Sequence, residues 1–128
     1  MRFISNAVCK ALFGLPIEIR QDKSFSYIDV ADLCRVTERV ITEDLPFGDY
    51  NAVPPFTLTM QEIARAVKEK TGSSSDISVL GKGYNYTASG EKLQGSLGGV
   101  IFTPFEASLD NLISYYQSIK EQIKSEEL

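Results

Sequence analysis

The chain has 128 residues, 43% of them hydrophobic and 23% charged, which fits about one globular domain with a core of its own and argues against disorder. Thirteen Lys and Arg against seventeen Asp and Glu leave a net charge of -4. The basic residues are dispersed rather than gathered into a phosphate-binding run, so nucleic acid is excluded as the expected partner.

Phe3, Ile4, Ala7, Val8, Ala11 and Leu12 recur at helical spacing, and Gly14 can end that helix in the left-handed conformation. Pro16-Ile17-Glu18-Ile19 and Phe25-Ser26-Tyr27-Ile28 read as two short strands joined by Arg20-Gln21-Asp22-Lys23. Asp29 or Asp32 can cap the next helix, whose Leu33, Val36, Val40 and Ile41 mark one face and which should run to Glu43. A break at Leu45-Pro46-Phe47-Gly48 precedes a brief strand over Tyr50-Asn51-Ala52-Val53, stopped by Pro54 and Pro55.

Thr59-Met60-Gln61-Glu62 is a capping box, with Leu58 and Ile63 placed for a hydrophobic staple, and its helix should end at Thr71-Gly72. Ile77-Ser78-Val79-Leu80 is a strand by its β-branched content. Ser89 can cap a short helix carrying Leu93 and Leu97 and stopped by Gly98-Gly99; Val100-Ile101-Phe102 reads as a buried extended segment. Thr103-Pro104-Phe105-Glu106 combines a capping residue, a first-turn proline and the capping-box Glu. It opens a long helix through Ile113, Tyr116 and Ile123 that frays at Lys124–Leu128. The fold class is therefore α/β: a small mixed lobe of residues 1–128 with short strands and about five helices, the strands looking like part of a sheet completed by something else.

Chemistry is constrained mostly by what is missing. Histidine is absent, which removes Ser-His and Cys-His nucleophile schemes and every His-containing zinc site. Cys9 and Cys34 lie in apolar helical stretches and read as buried free thiols. No window approaches ~18 apolar residues, and the first residues lack a leader pattern, so no membrane span and a cytoplasmic location are expected.

Gly81-Lys82-Gly83 is not followed by a helix start and reads as a polar turn, not a nucleotide-phosphate loop. The same loop, Gly81 to Ser89, offers Tyr84, Asn85, Tyr86, Thr87 and Ser89 as hydrogen-bonding groups for sugar hydroxyls. Asn85-Tyr86-Thr87 matches a glycosylation acceptor by chance composition. Tyr116-Gln117-Ser118-Ile119-Lys120 matches a Tyr-x-x-x-Lys pair, but Tyr116 belongs to the apolar stripe of its helix and reads as packing. Asp29 and Asp32 read as capping groups before they read as an acid-base or magnesium pair, and Lys120, Glu121, Lys124, Glu126 and Glu127 as a solvated face.

Taken in order, Phe3-Ile4 through Ala11-Leu12, Gly14-Leu15-Pro16-Ile17, Tyr27 through Cys34, Tyr50-Asn51, Thr59 to Ala66, Ser89 to Gly98, and Phe102 to Glu106 with Tyr115-Tyr116 resemble the C-terminal half of extended short-chain dehydrogenases, the NAD-dependent epimerase/dehydratase family. The resemblance implies a substrate-binding lobe, commonly for a nucleotide-linked sugar. It also implies a missing dinucleotide-binding half that carries NAD or NADP and the catalytic Ser/Thr, Tyr and Lys. No catalytic, cofactor or metal residue is then expected here, and hydride transfer belongs to the parent enzyme.

Two departures stand out. The arginine that members place before the Tyr-Ile segment falls on Phe25, and the histidine position on Asp29; a second arginine, before the short helix, is replaced by Gly83-Tyr84-Asn85-Tyr86. The loss of two planar phosphate-gripping forks leaves Arg2, Arg20, Lys23 and Lys82 as substitutes, with Tyr84 and Tyr86 on the sugar side. Two readings follow: the substrate lobe of a nucleotide-sugar epimerase, dehydratase or reductase, or a non-catalytic regulatory or protein-interaction module of the same fold. An open sheet edge also makes a homodimer an expected state.

Overall fold

The computed structural model describes residues 3–128. Five α-helices and four short strands follow in the order α1 (Phe3–Leu12), β1 (Ile17–Ile19), β2 (Ser24–Phe25), α2 (Val30–Thr42), β3 (Leu58–Thr59), α3 (Met60–Thr71), β4 (Ile77–Val79), α4 (Glu91–Ser96) and α5 (Phe105–Ser118). The mixed α/β lobe read from the sequence is the fold observed.

The segment holding β1 and β2 is the spine. β1 pairs in parallel with β4, in the register Ile17 to Ile77 and Ile19 to Val79. The same parallel alignment reappears at single bridges, Asp22 with Lys82 and Phe25 with Tyr86. On its other side β2 pairs antiparallel with β3, Ser24 opposite Thr59 and Phe25 opposite Leu58. Asn85 Oδ1 accepts from the Ser24 N–H at 3.0 Å, which pins the Gly81–Ser89 loop to the spine.

The main core lies where α1, α3 and α5 close over β1. Ala7, Val8, Ile17, Ile19, Ile63, Val67, Leu109 and Ile113 form it, and Tyr116 packs at its edge as the apolar stripe of α5 requires. A smaller cluster of Val36, Leu93 and Leu97 holds α2 against α4. Helix boundaries follow their local signals. Gly14 and Gly72 adopt positive φ at the ends of α1 and α3. The capping box is complete, with Glu62 N–H donating to Thr59 Oγ1 at 3.1 Å and Thr59 N–H to Glu62 Oε2 at 2.7 Å. Asp29 is the N-cap of α2.

Several local expectations are corrected. Tyr50–Val53 forms no strand; Asn51 Nδ2 instead donates to the Ser89 carbonyl at 3.2 Å, and Pro54 and Pro55 cannot donate to a ladder. Two-residue strands replace the longer one at 25–28 and add an unforeseen one at Leu58–Thr59. Thr103 does not cap α5: Pro104 stands at the cap position, and the Thr103 hydroxyl and N–H are donated to Asp32. Ile101 is exposed rather than buried. α5 stops at Ser118, followed by 3₁₀ turns at Lys120–Gln122 and Ser125–Glu127. Cys9 is buried, whereas Cys34 is exposed on α2. Among the described residues, no helix is long and apolar enough to cross a membrane.

Candidate functional site

Two hollows open on either side of the α1 N-terminus, and Phe3 and Met60 line both. One has a volume of about 640 Å³ and is bounded by α1, the β1–β2 connection and the start of α3. Lys10, Arg20 and Lys23 surround it against a single acid, Glu18, with Asn6 and Gln21 as neutral polar groups. Arg20 Nε lies 3.6 Å from Glu18 Oε1, a loose exposed pair, while Lys23 Nζ sits 5.3 Å from the centre of the Phe25 ring. Lys10 and Lys23 take no part in a salt bridge among the described residues. This hollow has an excess of positive charge and the donors to hold an anion.

The other hollow, about 670 Å³, is mainly aromatic and aliphatic. Phe25, Tyr27, Tyr86, Phe56 and Phe105 contribute to its walls. The Phe25 ring stands edge-on to Tyr27 at 5.9 Å and tilted to Tyr86 at 6.3 Å. Burial pushes the Tyr27 hydroxyl above its ordinary pKa, keeping it a neutral donor. One charge reaches this wall, Asp29. Its carboxylate accepts from Ser108 Oγ at 2.6 Å and from the Ala31 N–H at 2.8 Å, and these bonds hold it below the usual carboxylate range.

The residues singled out from the sequence therefore separate. Arg20 and Lys23 line the cationic hollow, and Tyr86 lines the apolar one. Lys82 and Tyr84 line neither, and Tyr84 is fully exposed at the loop tip. Arg2 lies outside the described residues. Sequence reasoning missed Lys10, although Phe3, Asn6 and Lys10, three and then four residues apart, share one face of α1. It also missed the Asp29–Ser108 bond, for which no local pattern exists because the partners come from α2 and α5.

The Gly81-Lys82-Gly83 turn is bound into the spine and opens no helix. Gly81 and Gly83 bond the spine, with Asp22 N–H donating to the Gly81 carbonyl and Gly83 N–H to the Asp22 carbonyl, both at 2.8 Å. A side chain on Gly83 would meet Gln21 and Lys23 at 3.2 Å, so the glycine serves close packing, as the polar-turn reading expects. Among the described residues no group of three or more Cys, Asp or Glu is arranged to hold a metal ion.

No protein-family model and no curated protein matches the sequence. Solved structures do match. One is dTDP-glucose 4,6-dehydratase from Bacillus anthracis in complex with NAD, at TM-score 0.82 and 20% identity, covering 94% of this chain and 40% of that one. The Bordetella bronchiseptica enzyme WbmF in complex with NADH matches at TM-score 0.83 and 20% identity, covering 94% and 38%. UDP-glucose 4-epimerase from Thermotoga maritima with UDP-glucose matches at TM-score 0.80 and 16% identity, covering 93% and 40%. The chain thus spans about two fifths of the length of the solved enzymes it matches. It has the fold of a part of these NAD-dependent epimerases and dehydratases, as the order of its motifs implied.

Proposed function

We propose that this chain, built on the epimerase/dehydratase fold, is a lobe that binds a nucleotide-linked sugar for NAD(P)-dependent epimerisation, dehydration or reduction, and does no chemistry by itself. The observation that carries the reading is the pair of adjoining hollows, one cationic and one apolar, separated by Phe3 and Met60. A nucleotide sugar is a diphosphate between two less charged ends, and Lys10, Arg20 and Lys23 supply positive charge in place of the two arginines that the chain lacks. Tyr86 is the group best placed to meet the sugar, since it stands on the wall of the apolar hollow with its ring against Phe25.

The role that follows is positional. A lobe that fixes the sugar and its diphosphate converts an encounter with the cofactor into an oriented one. The chain carries neither a phosphate-cradling glycine loop nor a catalytic Tyr-Lys pair; Tyr116 of the only matching pattern is packed at the core edge.

The test is calorimetric titration of the 128-residue chain with UDP, dTDP, UDP-glucose and dTDP-glucose. Binding by at least one of them, weakened about tenfold by Arg20→Ala or Lys23→Ala, is the expected result, a tenfold loss being that of one charge-assisted contact. No binding by any of the four, or binding indifferent to both substitutions, overturns the reading.

A further inference from the structure

The two hollows differ in the charge they can receive. Lys10, Arg20 and Lys23 outnumber Glu18 around one, whereas the only charged side chain lining the other is Asp29. Asp29 takes part in no salt bridge among the described residues. Arg35 of the same helix acts on it only through its field, being bonded to Asp32. Ser108 Oγ and the Ala31 N–H take two of the roughly four acceptor positions of the Asp29 carboxylate. Both bonds favour its ionised form and fix its position. A held negative charge with acceptor positions to spare therefore lines a hollow whose other walls are mainly aromatic and aliphatic.

We infer that the aromatic hollow receives a free ammonium group, so that the ligand spanning both hollows is a nucleotide-linked amino sugar, an inference that rests on the function proposed above. A hard metal ion does not suit the place, since it needs several oxygens and, among the described residues, no group of three or more Cys, Asp or Glu is gathered to supply them. A neutral sugar would strip water from the Asp29 carboxylate and return no opposite charge. An ammonium group returns that charge, donates to the spare acceptor positions, and is attracted by the ring faces of Phe25, Tyr27 and Tyr86. Phe3 and Met60 separate this hollow from the cationic one, so the two ends of a dipolar ligand meet opposite charges. The match also sets the direction of binding, because the reversed ligand brings its diphosphate against Asp29. Acetylation of the amine removes the charge that Asp29 receives.

The test is titration of the 128-residue chain with UDP-glucosamine, UDP-N-acetylglucosamine and UDP-glucose, and with dTDP-glucose beside its 4-amino analogue, at about pH 6, where such an amine is protonated and Asp29 ionised. At least one free-amine sugar should bind about tenfold more tightly than its neutral counterparts, the effect of one charge-assisted contact. Asp29→Asn should abolish that ratio. Asparagine caps a helix as well as aspartate does and keeps an acceptor for the Ala31 N–H, so the change removes the charge and leaves α2 in place. Tyr86→Leu, at a ring 76% exposed, should lower the ratio severalfold. No preference for an amine at either position, or a preference that Asp29→Asn leaves intact, overturns the inference; should that variant not fold, a preference that Tyr86→Leu leaves intact does so. Carboxyl-carbon NMR separates the inference from the proposed function, because glucosamine alone, with no nucleotide attached, should shift the Asp29 signal where glucose does not. Nucleotide-sugar binding without any response of Asp29 to an amine retires only the ammonium site, and a response to glucosamine without binding of any nucleotide retires the nucleotide-sugar reading.

Discussion

Asp32 is a buried acidic residue with both oxygens engaged. It is 1% exposed, yet both of its oxygens are occupied, by the Thr103 N–H at 2.7 Å, the Thr103 hydroxyl at 2.8 Å and the Arg35 guanidinium. The Asp32→Ala variant leaves an unmatched N–H, a hydroxyl and an arginine, and should lose about 3 kcal/mol of stability in urea denaturation. Asp29 offers a pH-dependent counterpart. Its pKa is lowered in the folded state, chiefly by Ser108, so its contribution is present above the unfolded value of about 3.9 and is lost as pH falls through the lower folded value. The Ser108→Ala variant should show a raised Asp29 pKa by carboxyl-carbon NMR. It should be less stable than the parent at pH 7, and the difference should narrow in acid as the carboxyl protonates in both.

The two helix starts with the same sequence pattern show what a local motif can and cannot say. At Thr59 the capping box closes as written, its hydroxyl accepting from the Glu62 N–H while donating to the Glu62 carboxylate, and Thr59→Ala should cost about 1 kcal/mol by thermal or urea denaturation. At Thr103 the identical logic fails. There the helix starts one residue later, with Pro104 at the cap position, and the Thr103 hydroxyl and N–H donate to the buried Asp32 carboxylate. The helix still begins there, since Pro104 and the apolar spacing of Phe105, Leu109 and Ile113 do not depend on the cap. Periodicity and glycine stops were legible in the same way at α1 and α3, whereas at α2 only Val36 of the expected face Leu33, Val36, Val40 and Ile41 is buried. Tyr50–Val53 was not: it joins no ladder, and its Asn51 side chain is bound to the Ser89 carbonyl instead. The candidate site was half legible: Arg20 and Lys23 could be chosen by charge near a strand turn, whereas joining Lys10 to them requires the packing of α1 beside the β1–β2 connection.

For the whole molecule, the division into a main core and a small cluster predicts unequal stability. α1 and α3 meet in the centre of the larger core, while α2 is held by Val36 against Leu93 and Leu97. Hydrogen exchange followed by mass spectrometry should find the amides of α2 and α4 exchanging well before those of α1 and α3, which open only with global unfolding. Uniform protection across all four helices would show that the smaller cluster is as firmly held as the larger.

The parallel pairing of β1 with β4 carries a consequence for synthesis. Ile17 and Ile19 leave the ribosome well before their partners Ile77 and Val79, and the core above them is finished only by Leu109 and Ile113, later still. Long-range pairing of this kind cannot nucleate locally. The nascent segment therefore waits, with α1 and β1 made and their apolar sides uncovered, until α5 has been read, and during that wait it is a natural client for a ribosome-associated chaperone.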